Sequence, residues 1–161
     1  MPVSTDTATL RFCLELNEMS SRAESAVREF CAAWGDGSAA SSPDVSTLLS
    51  KFAPDAYWHL WVPGGRIVRG RRELEAEIRR QVRHATHQRC EIVKLVAGSH
   101  LVLTERVDSF HWNAVRATSH VGAMFEVNDA GEIIAWREYF DMVNVARQLG
   151  VDPAVLEHPQ A

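Results

Sequence analysis

The chain has 161 residues, enough for one domain that buries about two-thirds of the surface its unfolded form exposes. A hydrophobic share of 46%, a charged share of 24% and a net charge of −4 are those of an ordinary soluble globular protein, and argue against nucleic acid or an anionic membrane as the main partner. Three cysteines at unpaired spacings (Cys13, Cys31, Cys90) read as reduced thiols of a cytoplasmic protein, and neither a signal peptide nor an apolar run of the roughly 18 residues that span a membrane is visible.

Residues 1–20 carry Ser and Thr early and little periodicity, and read as a poorly ordered lead-in; "RFCLEL" within it fits an edge strand or a helical turn equally. A helix is predicted over about 21–34. Ser21 and Glu24 make a capping-box pattern, and Ala23, Val27, Phe30, Cys31 and Trp34 form its apolar stripe. "GDGSAASSP" is a loop, and Pro43 suits the first turn of a second helix that turns Val45, Leu48, Leu49 and Phe52 inward. A short strand, "AYWHLWV", and a "PGG" turn lead to a third helix over about 71–84, striped by Leu74, Ile78 and Val82. Its basic run is threaded by Glu73, Glu75 and Glu77, as on a solvated face laced with ion pairs.

From residue 89 the hydrophobic period becomes two. "CEIVKLVA", "HLVLTERVDSFHW", "VRATSHVGAMFEV" and "EIIAWREYFD" are predicted strands, with turns at Gly98-Ser99, near Asn113 and at "NDAG". A short helix, "MVNVARQL", stops at Gly150, and residues 151–161 form a tail. Helices first and an antiparallel meander after define an α+β domain over about 21–150, whose curved sheet wraps helices and leaves a cone-shaped pocket.

Three segments carry candidate chemistry. In "TERVDSF", alternation puts Arg106 and Asp108 on one face with Val102, Thr104, Phe110 and Trp112. As one strand alone, the pair better fits the solvent side of a two-faced sheet. Its apolar company argues instead for a buried pair, which must satisfy itself and find further partners. In "WREYFD", Arg137, Tyr139 and Asp141 alternate with Trp136, Glu138 and Phe140, and Asp141 is also a natural cap for the helix that follows. In "YWHLW", Tyr57, His59 and Trp61 face one way and Trp58, Leu60 and Val62 the other; a phenol and an imidazole on one face can hold a water. His84, His87 and Cys90 straddle a helix end without a fourth ligand and read as incidental. Trp58, Trp61, Trp112 and Trp136 read as core or pocket wall.

"TERVD" followed about thirty residues later by "WREYFD", with "FAPDAY" after the second helix and "FEV" before the last strand, resembles the limonene-1,2-epoxide hydrolase family over roughly residues 21–145. The resemblance implies a cone-shaped α+β fold of the nuclear transport factor 2-like, cystatin-like or SnoaL-like kind, with a homodimer. It implies a cofactor-independent, metal-free enzyme acting on a small hydrophobic epoxide and water. It assigns Asp141 as base, Asp108 as acid, Arg106 as the bridge between them, and Tyr57 as one holder of the attacking water. The family's second holder is an asparagine, and the chain has His59 there. Phe110, Trp136 and Val121 would supply the apolar substrate wall. The rival readings are an isomerase, dehydratase or polyketide cyclase of the same fold using His59 as base, and a non-catalytic binding module.

Overall fold

The computed structural model describes residues 7–157; residues 1–6 of the expected lead-in and 158–161 of the expected tail lie outside it. Helix α1 (Thr7–Ala32) begins well before Ser21, because nothing in "TATLRFCLELNEMSS" breaks a helix. Ser21 and Glu24 are therefore mid-helix rather than a cap, and Glu24 accepts from Arg28 Nε one turn on (2.7 Å). The predicted stripe is buried as expected, from Ala23 through Phe30 to Trp34.

Helix α2 (Val45–Ser50) is capped by Asp44, which accepts from Thr47 N at 3.0 Å, so Pro43 sits just before the cap. Strand β1 (Phe52–His59) starts earlier than predicted and takes Phe52 with it. A short strand β2 (Ile67–Arg69), not foreseen, returns along it before α3 (Gly70–His84). The four long strands follow the predicted meander: β3 (Ala85–Ala97), β4 (Leu101–Trp112), β5 (Val115–Val127) and β6 (Ile133–Tyr139). Asn113 and Ala114, both with positive φ (48° and 66°), make the two-residue turn that lets Trp112 face Val115. Helix α4 (Met142–Leu149) ends at Gly150, whose φ of 68° closes it, and α5 (Pro153–Glu157) occupies part of the expected tail.

The strands form one six-stranded sheet in the order β2-β1-β6-β5-β4-β3, with β1 parallel to β6 and every other pair antiparallel. Register shifts in the β3–β4 pair, between Thr86 and Arg89 and between Ile92 and Lys94, give the long strands their bend. The architecture is α+β, a curved mixed sheet with α1 against β3 and α3 against β1. The core sits on the concave face. Phe30 is at its centre, edge-on to Trp34, Phe52, Phe125 and Trp136 at ring separations of 6.2, 5.3, 5.9 and 4.8 Å.

Truncating Phe30 removes these four contacts at a fully buried point. Phe30→Ala is expected to cost about 3–5 kcal/mol, read as a lower urea midpoint with an unchanged slope.

Candidate active site

A cavity of about 190 Å³ opens on the concave face. All five tryptophans line it: Trp34 beyond α1, Trp58 and Trp61 on and after β1, Trp112 at the end of β4, and Trp136 on β6. Phe110, Val121, Phe140, Met142 and Val145 complete most of the apolar wall, with Leu156 of α5 at one side. Apolar walls of this kind leave few polar groups to define chemistry.

Arg80, Gln81, Gln88, Arg89, Ser109 and Ser119 reach the cavity wall, and Arg106, Asp108 and Glu138 form the bonded polar cluster within it. Arg106 is 1% exposed, the largest side chain buried so completely. It donates to Asp108 through two nitrogens, Nε to Oδ1 at 3.2 Å and Nη2 to Oδ2 at 2.7 Å, and Nη2 also donates to Glu138 Oε1. Trp58 Nε1 donates to Glu138 Oε2 at 3.1 Å. The register explains the reach: Glu138 on β6 pairs with Ala123 of β5, Ala123 pairs with Thr104 of β4, and Arg106 lies two residues on. The small side chain at 123 leaves the guanidinium room to cross β5.

Burial pushes the Glu138 carboxyl up to about 7; Arg106 opposes this, Asp108 adds to it, and Trp58 opposes it by its hydrogen bond. Burial also works against the Arg106 charge, but Asp108, Cys90 and Glu138 together hold the guanidinium well above its ordinary range. Cys90, which lines the same cavity, has its thiol pushed up by a hydrogen bond with Cys31 and by burial. Of the two carboxyls facing the guanidinium, Glu138 is the one pushed toward holding its proton.

The expected site residues divide. Arg106, Asp108, Phe110, Val121 and Trp136 come together around the cavity. Asp141 does not join them. Strand β6 ends at Tyr139, and exposed Asp141 caps α4, accepting from Asn144 N at 2.8 Å. Tyr57 and His59 also lie elsewhere. They point from the opposite face of β1, where the Tyr57 oxygen accepts from Arg137 Nη1 and His59 pairs in register with Arg137. Trp58 and Leu60 take the inward positions instead. The second carboxylate on the guanidinium is thus Glu138, which the sequence reading passed over. A signal was available: Trp136, assigned to the pocket, shares its strand face with Glu138 and not with Asp141.

Among the described residues no group of three or more metal-binding side chains occurs, and no helix is long and apolar enough to cross a membrane. The fold and the cavity define a cone-shaped nuclear transport factor 2-like protein. Residues 25–150 match the family described as limonene-1,2-epoxide hydrolase catalytic domain, and the chain belongs to that family. Among solved structures it is similar to an LEH-like epoxide hydrolase of M. tuberculosis (28% identity, TM-score 0.68, covering 88% of this chain and 98% of that one). A putative polyketide cyclase of Xanthomonas campestris has the same fold (20% identity, TM-score 0.69, 81% and 98% covered). So has an epoxide hydrolase/cyclase-like enzyme, SalBIII, described in pyran ring formation in polyether salinomycin (18% identity, TM-score 0.66, 77% and 94% covered). No curated protein matches the chain.

The raised carboxyl has a consequence for stability. Glu138 ionises near 4.5 in the unfolded chain and near 7 in the folded one, so the folded state holds the extra proton. Its contribution to stability is complete below 4.5 and is lost as pH rises to about 7, on the order of 3 kcal/mol. Glu138→Gln removes the titration: its melting temperature is expected to gain on wild type steadily between pH 5 and 8, followed by calorimetry.

Proposed function

We propose that the protein is a cofactor-independent epoxide hydrolase that adds water to a hydrophobic epoxide and yields a vicinal diol. The observation that carries this reading is two carboxyls converging on one buried guanidinium inside an apolar cavity. In the reactive form the shared proton sits on Asp108 and Glu138 is ionised. Glu138 takes a proton from water as the water oxygen forms its bond to a ring carbon. The ring C–O bond breaks, and Asp108 gives its proton to the leaving oxygen. The proton then returns from Glu138 to Asp108, and the diol leaves. Arg106 bonds both carboxyls throughout, and its planar fork fixes their separation. The similarity to an LEH-like epoxide hydrolase supports the assignment of reaction.

A second reading draws on one observation. The inward positions on and just after β1 hold Trp58 and Leu60, not a phenol and an imidazole, so neither offers an acceptor beside Glu138 to orient a water. A hydroxyl of the substrate itself could then be the group that Glu138 deprotonates, and ring opening would be a cyclisation. The cyclase-like relatives support this alternative.

One assay separates them. Hydrophobic epoxides, with and without a neighbouring hydroxyl, are incubated in oxygen-18 water. Diol carrying the label supports hydrolysis; unlabelled cyclic ether from the hydroxy-epoxides alone supports cyclisation; no turnover of either set overturns both. Asp108→Asn and Glu138→Gln are each expected to lower kcat by at least about 100-fold. Because the pair must retain one proton, kcat/KM should fall as pH rises through about 7, the value to which Glu138 is pushed. A profile still rising at pH 9 would refute the shared-proton assignment.

We also read the outer face of the sheet as the contact between two copies, in a cytoplasmic homodimer. Val96, Leu103 and Met124 are cross-strand neighbours there, continuing to Arg137 and His59, and Val96 is 69% exposed. An apolar row of this kind on a sheet face needs cover. Light scattering is expected to give twice the chain mass, and Leu103→Glu to give the monomer.

A further inference from the structure

Glu138 is held at both oxygens from two different strands, and one of the two donors is a tryptophan. We propose that Trp58 is a positioning residue, whose indole N–H fixes Glu138 Oε2 and stabilises the ionised carboxylate from the side opposite Arg106. This inference rests on the reading of Glu138 as the proton acceptor of the site.

The geometry makes Trp58 a rigid donor. Its ring lies face to face on Trp136 at 4.1 Å and 9°, and edge-on to Trp34 at 6.4 Å. The two stacked residues are register partners across the parallel β1–β6 pair, so the backbone sets the stack as well as the side chains. At 2% exposure the indole has no room to turn. Beyond Trp58, Val62 N donates to the backbone oxygen of Glu138 at 2.7 Å, so β1 and the turn after it hold the residue at both its side chain and its main chain. An indole is a donor only and does not titrate, so this hydrogen bond favours the charged carboxylate at every working pH.

The charged and titratable groups around Glu138 are few. Strand β4 supplies Arg106 and Asp108, β3 supplies Cys90 and Arg89 and α3 supplies Arg80 to the same cavity, and α1 supplies Cys31 behind Cys90. Arg106 divides its donors between Asp108 and Glu138, whereas Trp58 has a single N–H and gives it to Glu138 alone. Removing that N–H leaves Oε2 in an apolar wall without a donor. The carboxyl should then hold its proton to higher pH.

Trp136 provides the matched control. It is buried beside Trp58 in the same stack, but its own Nε1 has no hydrogen-bond partner. Trp58→Phe and Trp136→Phe both delete part of an indole from one stack, yet only the first deletes a hydrogen bond to Glu138.

The test is a titration of the full chain carrying glutamate labelled with carbon-13 at the side-chain carboxyl, with Glu138 assigned by its absence in Glu138→Gln. Trp58→Phe is expected to raise the Glu138 midpoint by about one pH unit, and Trp136→Phe to leave it in place. An unmoved midpoint in Trp58→Phe overturns the proposal, as does an equal rise in both variants, which would make the effect one of packing. Should Trp58→Phe not fold, wild type labelled with nitrogen-15 in its indoles serves instead. The Trp58 N–H proton signal is expected to shift with pH at the Glu138 midpoint, and a flat response overturns the proposal. Neither measurement uses a substrate, so an outcome against epoxide chemistry leaves this result standing and the reverse also holds.

Discussion

The contact on which the site depends is the one between the buried guanidinium of Arg106 and the carboxyls of Asp108 and Glu138. A lone guanidinium at this depth would cost far more than a surface charge, and an unpartnered carboxylate beside it would cost as much again. Together they nearly cancel, but not fully: two negative charges on one positive leave an excess that a dry cavity does not screen. The excess is relieved when Glu138 holds a proton, the direction in which burial pushes it. Chemistry that gives a proton at one atom and takes one at another needs that condition, so the electrostatic demand of burial and the demand of acid–base catalysis coincide.

The rest of the fold serves to keep the place dry and fixed. Phe30, Phe52 and Phe125 fill the core beneath Trp136, and Trp136 and Trp58 stack above them. Helix α3 keeps its own buried acid, Glu77, satisfied by Arg66 and by Arg80 at the cavity wall. The polar demands of the helix layer are thus met locally and do not compete for Arg106. Strand β5 contributes mostly small or branched inward residues, Ala117, Ser119, Val121 and Ala123, which lets side chains from β4 and β6 meet over it.

Much of this was legible in the sequence where period and packing coincide. The inward face of β4 follows from alternation around Arg106 and Asp108, and the stripe of α1 and the cap and stop of α4 follow from spacing and turn chemistry. The failures lie at places where phase is set by tertiary contacts. Asp141 is three residues from Glu138, an odd step that changes the strand face, and the helix after it claims the aspartate as a cap. Tyr57 and His59 are one residue out of phase with Trp58 and Leu60, the more apolar pair, which takes the buried side. The parallel pairing with β6, a long-range contact with no local signature, holds that phase. The start of α1 was missed for another reason. The overhanging start of α1 exposes Phe12, Leu14 and Leu16 at a spacing of two, which makes no helical stripe.

The phase of β1 also decides what kind of site this is. With a phenol and an imidazole turned inward, the carboxylate on β6 would face groups that accept as well as donate, and a water could be held in one orientation before any substrate arrived. With Trp58 inward, the same carboxylate faces a donor that binds it directly and offers nothing to a water. The base is thereby fixed more firmly than the nucleophile. On the proposed reading, such a site constrains where the proton goes and leaves the approach of the attacking oxygen to the substrate and the cavity wall, so substrate shape would bear more directly on whether water or a tethered hydroxyl opens the ring.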